Sequence, residues 1–249
     1  MGLPATRRGT LLKVGVLAAI SLATRLFCIG SKSLWLDEAL ALDVARLPVG
    51  EILGLPSASI PHAPLHFLLV KASMGVLGSS EAALRFPSAL LSGLAVLPLM
   101  LLVARLAGKR AGLWAGLFWS LAPYAVSLGQ EAWVYGTLAG LGILFAALSL
   151  EVWRGRMKLL LPMLAIGAAG IWTSLLFGLF ALAGLGLWAT VGRERRVRPW
   201  IPVAAALVIA VIALPLLLSS GDEMASRAIR QERAGISTVD LSRIVSDTP

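Results

Sequence analysis

Apolar runs near the length of a lipid core, broken by short clusters of Lys and Arg, constrain this chain more than any other feature. Stretches 11–30, 86–104, 111–128, 134–152, 158–173, 175–191 and 200–219 all read as candidate spans, since a crossing helix needs about 20 mostly apolar residues. Inside a bilayer every backbone N–H and C=O must find its partner within the segment, which for runs of this length means helices. The expected fold is therefore an all-α polytopic membrane protein of about seven transmembrane helices. Composition agrees: 58% of residues are hydrophobic and 14% charged, and the mean hydropathy is +0.85, outside the range of soluble domains.

The basic clusters set the orientation. One further apolar stretch, 65–78, carries His66 and Lys71 and is short for a span, so it reads as an interfacial helix. With it lying in the interface, the clusters Arg7/Arg8/Lys13, Arg105/Lys109/Arg110, Arg154/Arg156/Lys158 and Arg193/Arg195/Arg196/Arg198 all fall on one side. That side is the cytoplasm by the positive-inside rule. Threading 65–78 through the membrane would move three of those clusters outside. The expected location is the plasma membrane, with a cytoplasmic N-terminus and an uncleaved first span. The same placement explains the net charge of +9 without nucleic acid as a partner. A single cysteine, Cys28, excludes an internal disulfide.

Acidic residues collect on the other side. Asp37, Glu38, Asp43, Glu51, Glu81, Glu131 and the five beyond residue 220 fall outside or at the outer interface. Carboxylates contribute little to insertion, so the skew leaves room for an outward-facing site. The first outer loop, 31–85, is long for a connector. It holds an amphipathic stretch at 36–47, a turn region LGLPSASIPHAP and the interfacial helix. The core is expected over 1–219, with 220–249 a polar outer tail that begins a further C-terminal part.

Several polar residues in these outer segments invite chemistry, each with a plain alternative. Asp37 and Glu38, in SLWLDEALALD, suit the first turn of a helix. Equally, a carboxylate at a membrane–water boundary can act as a general base, and its neighbour can orient it or share a divalent cation. Arg25 and Arg85 either snorkel to the interface or bind phosphate. His62 and His66 form a weak metal signal, and an interfacial imidazole is the default reading. Gln130, Glu131 and Tyr135, in GQEAWVYG, face the first loop as substrate contacts or belong to an interfacial belt. No glycine-rich phosphate loop, GxSxG elbow or HExxH occurs, so a phosphate-bearing substrate is expected to arrive through the membrane.

Four stretches stand in order: Arg25-Leu26 leading to SLWLDEA, then HAPLHFLL, SSEAALRFPSALLSG and SLAPYAVSLGQEAWVYG. Together they resemble the polyprenyl-phosphate-dependent glycosyltransferases of the C-type membrane superfamily, nearest to the protein O-mannosyltransferases and their aminoarabinose-transferase relatives. The resemblance implies a seven-span core and a catalytic Asp37 with Glu38 beside it in the first outer loop. It implies a polyprenyl-phosphate sugar as donor, a glycan, lipid or protein as acceptor, and inversion at the anomeric carbon. Arg25 or Arg85 would face the phosphate, and His62, Gln130, Glu131 and Tyr135 the substrates. This sequence departs from the group at Ala63 and His66, where the group has a Pro and a Tyr, and at Trp133, where the group has an Arg. A non-catalytic accessory subunit that binds lipid-linked sugar or a partner is the second expectation. A transporter ranks last, because ionisable residues are scarce at mid-span.

Overall fold

A computed structural model describes residues 5–54, 64–191 and 200–233. Among them there are helices and no strand. The order is α1 (Ala5–Leu26), α2 (Leu36–Arg46), α3 (Val49–Gly54), α4 (Leu65–Leu77), α5 (Glu81–Leu94), α6 (Val96–Ala107), α7 (Lys109–Leu121), α8 (Pro123–Gly129), α9 (Val134–Trp153), α10 (Leu160–Ile171), α11 (Leu176–Val191) and α12 (Trp200–Arg233).

Local chemistry places most of the boundaries. The Ser80 hydroxyl caps α5 by accepting the Ala83 N–H at 3.3 Å, with Glu81 in the first turn where the helix dipole favours it. Leu47 precedes a proline and is extended (φ −61°, ψ 153°), which ends α2 and lets Pro48 open α3. Gly108 takes φ 92° between α6 and α7, a conformation cheap only for glycine. Ala122 is likewise extended before Pro123.

Three helices are long and apolar enough to cross a membrane: Gly9–Leu26, Glu81–Ala107 and Val134–Trp153. Lys109–Leu121 and Pro123–Gly129, bent by 61°, make a fourth if counted as one span. The remaining apolar helices, Leu65–Leu77, Met157–Ile171, Leu176–Gly186 and Val203–Leu218, are shorter. Those lengths account for three or four of the seven expected segments. The boundaries also shift. The first span stops at Leu26 rather than 30, the second begins at Glu81 rather than 86, and α12 continues past residue 219 to Arg233. Large apolar side chains left exposed along these helices, such as Leu12, Phe118, Leu161 and Leu207, suit a lipid surround.

The helix α5 is the hub, packed on α1, α4 and α9. Its approach to α9 is close because glycines face it: a Cβ on Gly140 would stand 2.8 Å from the Leu91 carbonyl oxygen, and one on Gly136 would meet Ser88. A second core joins α9–α12 through Phe145, Met163, Ile171, Phe177 and Ile209.

The first outer loop packs onto this frame as small helices. Ala41, Val44, Ile52 and Phe67, from α2, α3 and α4, close over Trp133 and Val134. Ala45 and Val70 close over Leu84 and Ala132. Lys71 donates to the carbonyls of Ala45 and Leu47 at 3.1 and 2.9 Å, so a cation sits where the α2 dipole is negative. His66, expected at the interface, is instead fully buried. Its Nδ1 lies 3.1 Å from the Thr137 hydroxyl and its Nε2 3.5 Å from the Ala132 carbonyl. The reason is neighbourhood: α4 packs between α5 and α2, and the ring can be buried because both nitrogens find partners. The described helices of the loop, here called the lid, are thus held by both apolar packing and polar ties.

Candidate active site

The carboxylate pair opens α2, where Trp35 is the N-cap, Asp37 and Glu38 stand in the first turn, and the two side chains part company. Glu38 turns inward and is 1% exposed. Arg85 of α5 grips it with two donors, Nε to Oε1 at 2.8 Å and Nη2 to Oε2 at 2.6 Å. The Ala132 N–H donates to Oε1 at 2.8 Å, and the Trp35 N–H reaches Oε2 at 3.4 Å. Burial alone would raise the Glu38 pKa, but the hydrogen bonds and charge of Arg85 and the two backbone N–H groups hold it below the ordinary 4.5.

Arg85 is 4% exposed and uses the rest of its guanidinium on the preceding loop. Nη1 donates to the carbonyls of Ile29 and Lys32 at 2.8 and 2.9 Å, and Nη2 to Ser33 at 3.2 Å. One buried ion pair therefore ties four segments: the loop after α1, the start of α2, the middle of α5 and the turn before α9. Each Glu38 oxygen thus accepts two hydrogen bonds, which engages the four lone-pair positions of the carboxylate.

Asp37 is half-buried. It lies close enough to Glu131 for its charge to help raise the Glu131 pKa. Burial is the main cause of that rise; the Ser127 hydroxyl opposes it, the Glu38 charge adds to it and Arg85 opposes it. Glu131 lines a polar cavity of about 380 Å³ together with Lys32, Trp35, Glu38, Arg85 and Gln130, at the head of α2. The Gln130 amide donates to the carbonyls of Thr24 and Phe27, each at 3.0 Å, which fixes the turn against the end of α1.

Other expected residues sit elsewhere. Arg25 is fully buried between α1, α5, α7 and α8. Its Nε donates to the Ser92 hydroxyl at 3.0 Å, Nη1 to the Ser21 carbonyl and hydroxyl, and Nη2 to the carbonyls of Trp119 and Ala125. Its guanidinium also lies 5.2 Å from the Trp119 ring centroid. Tyr135 is exposed at the start of α9 and does not line the polar cavity. His62 lies outside the described residues. Trp133 is buried, edge-on to Phe67 with centroids 6.2 Å apart, and so serves the lid's core. Among the described residues no group of three or more His, Cys, Asp or Glu side chains is placed to hold a metal.

Lys32, Ser33 and Ser127 line the cavity and were not singled out from sequence. Lys32 carried one legible signal: it is a lysine on the acidic outer side, five residues before Asp37.

The profile of a protein family described as dolichyl-phosphate-mannose-protein mannosyltransferase matches residues 61–218. Neither the curated proteins nor the solved structures contain a match to the chain.

Proposed function

The chain belongs to the dolichyl-phosphate-mannose-protein mannosyltransferase family, and from that premise we propose an inverting glycosyltransferase that moves a sugar from a polyprenyl-phosphate donor to an acceptor at the outer face of the plasma membrane. The family points to glycosyl transfer in a membrane, and the apolar helices suit such a setting. One observation carries the finer reading. Of the two adjacent carboxylates, Glu38 is saturated by Arg85, Ala132 and Trp35, while Asp37 keeps part of its side chain exposed in the first turn of α2, outside the lining of the polar cavity but near enough to Glu131 of that cavity to help raise its pKa.

In this reading Asp37 takes the proton from an acceptor hydroxyl. The acceptor oxygen attacks the anomeric carbon and forms the new glycosidic bond. The bond from that carbon to the phosphate oxygen breaks, and its electron pair leaves with the lipid phosphate. Glu38 and Arg85 hold the first turn of α2 against α5 and the 130–133 turn, so Asp37 meets the acceptor in one geometry. Gln130 and Glu131, which line the cavity, are the residues assigned to the sugar.

The seven apolar segments would all cross the membrane, with the lid outside and the basic clusters inside. At about 1.5 Å per residue, the short helices fall below the roughly 30 Å of the lipid core, so their turns and neighbours complete the crossing. Cys28, the only cysteine, is exposed and lines the cavity, so the natural chain carries its own reporter. A membrane-impermeant maleimide added to intact cells should label it; labelling only after lysis would reverse the orientation. The activity itself is tested by incubating membranes with radiolabelled polyprenyl-phosphate sugars, wild type against Asp37→Asn. Sugar transfer that survives the substitution at full rate would remove Asp37 as the base.

A further inference from the structure

The reaction proposed above needs a cation at the leaving phosphate, and the two arginines that the sequence offers are committed elsewhere. Arg25 is enclosed by Ser21, Ser92, Trp119 and Ala125. Arg85 is enclosed by Glu38 and three carbonyls. We propose that Lys32 is the residue that binds the donor phosphate, and that a groove between α1 and the α7–α8 bend receives the first isoprene units of the donor. The proposal rests on the glycosyltransferase reading and deepens it.

Three observations converge on Lys32. It is exposed, and among the described residues its ammonium has no hydrogen bond or ion pair. Its main chain is nonetheless fixed, because its carbonyl accepts from Arg85 Nη1 at 2.9 Å. The buried ion pair therefore fixes the backbone that carries, among the described residues, the cation of the polar cavity not already spent. Finally, Lys32 lines two cavities at once. The first is the polar one at the head of α2. The second, of about 670 Å³, has an apolar wall of Ala23, Leu121 and Val126 from α1, α7 and α8 with Phe27 just beyond α1, and Thr24, Ser127 and Gln130 on its remaining side. The two share Lys32, Ser127 and Gln130.

That arrangement has the polarity of a lipid-linked sugar. An apolar trough meets a polar chamber, and a flexible ammonium stands at the border, where a phosphate would lie. With the phosphate at Lys32 and the lipid running along Ala23 and Val126, the sugar falls into the chamber bounded by Glu131 and the first turn of α2. A charge-assisted contact of this kind changes affinity by roughly tenfold to a hundredfold when removed. Lys32 also neutralises charge on the departing phosphate, so its loss lowers turnover as well as binding.

Protection of Cys28 from maleimide reads occupancy without turnover, because Cys28 lines the polar cavity. The full chain in nanodiscs is titrated with undecaprenyl phosphate, and each variant is compared with its own lipid-free labelling rate. Wild type and Lys32→Arg should be protected. Lys32→Ala should need at least tenfold more lipid. Ala23→Phe, which narrows the trough at an exposed position, should weaken protection by undecaprenyl phosphate too. Inorganic phosphate, lacking a tail, and phosphatidylglycerol, lacking the isoprene chain, should protect poorly. Equal protection of Lys32→Ala and wild type overturns the phosphate assignment. Equal protection by phosphatidylglycerol overturns the donor trough, leaving a general lipid surface. Intact protection with no sugar transfer from any donor would instead count against the glycosyltransferase reading while leaving this lipid-phosphate site standing.

Discussion

Replacing Arg85 by leucine should cost more stability than any other single change in the lid. The substitution leaves Glu38, 1% exposed, with only the N–H groups of Ala132 and Trp35 as donors. Removing one partner of a buried pair typically costs about 3–5 kcal/mol, because the other is stranded. The carbonyls of Ile29, Lys32 and Ser33 also lose a donor, but Lys32 and Ser33 are exposed and Ile29 is half-buried, so water replaces these hydrogen bonds at small cost. The expected loss is therefore about 4 kcal/mol, dominated by Glu38. Arg85→Lys should fall between, since three ammonium donors cannot serve the acceptors that the guanidinium fork reaches. The assay is reversible unfolding in mixed micelles with increasing denaturing detergent, run on Arg85→Leu, Glu38→Leu and the double variant. The double variant should recover about 2 kcal/mol or more relative to the sum of the singles. A single-variant cost below about 1 kcal/mol, the level of exposed ion pairs, or strict additivity would refute the buried-pair argument.

Three further outcomes are expected. Because the Glu38 pKa is lowered in the folded protein, its contribution is present above the unfolded value and is lost as pH falls through the folded one. Melting midpoints should therefore drop as pH falls below 4.5 in wild type, and less steeply in Glu38→Gln. Glu131 has the opposite sign: its raised pKa favours the protonated fold, so stability is lost as pH rises above 4.5 through the folded value, and Glu131→Gln should melt higher than wild type at neutral pH but not at pH below that range. Gly140→Ala should cost about 1–3 kcal/mol through overpacking, because its Cβ would stand 2.8 Å from the Leu91 carbonyl, whereas Gly142→Ala, whose nearest neighbour is a Phe180 ring carbon at 3.7 Å, should be nearly silent in the same unfolding assay.

Residues 65–78 were too few for a comfortable span and carried His66 and Lys71; α4 forms there and sets Lys71 on the end of α2, but its length does not set it apart from the apolar helices at Met157–Ile171 and Leu176–Gly186. The amphipathic stretch 36–47 became α2 within a residue at its ends. What hydropathy could not give was the bend at Pro123, which an apolar window reads straight through. Side-chain pairing was also hidden. Asp37 and Glu38 are adjacent and chemically alike, and nothing local says that the second turns inward. That depends on Arg85, 47 residues away. Arg25 illustrates the opposite failure: a cation near the end of a span suggests phosphate, but carbonyls freed by the α7–α8 break and two buried serines take its donors. Once both arginines were committed, the lysine that neither composition nor motif had marked was left facing the cavity.

The division of labour between the adjacent carboxylates is the central claim, and one paired measurement tests it. Sugar transfer from labelled polyprenyl-phosphate donors and unfolding free energy are measured on the same preparations of wild type, Asp37→Asn and Glu38→Gln. Asp37→Asn should abolish transfer with stability within about 0.5 kcal/mol of wild type, as for a half-exposed side chain outside the core. Glu38→Gln should lose stability by more than about 1 kcal/mol, and should keep measurable transfer under conditions where it remains folded. Transfer retained by a stable Asp37→Asn, or abolished in a fully stable Glu38→Gln, would reverse the roles assigned to the two residues.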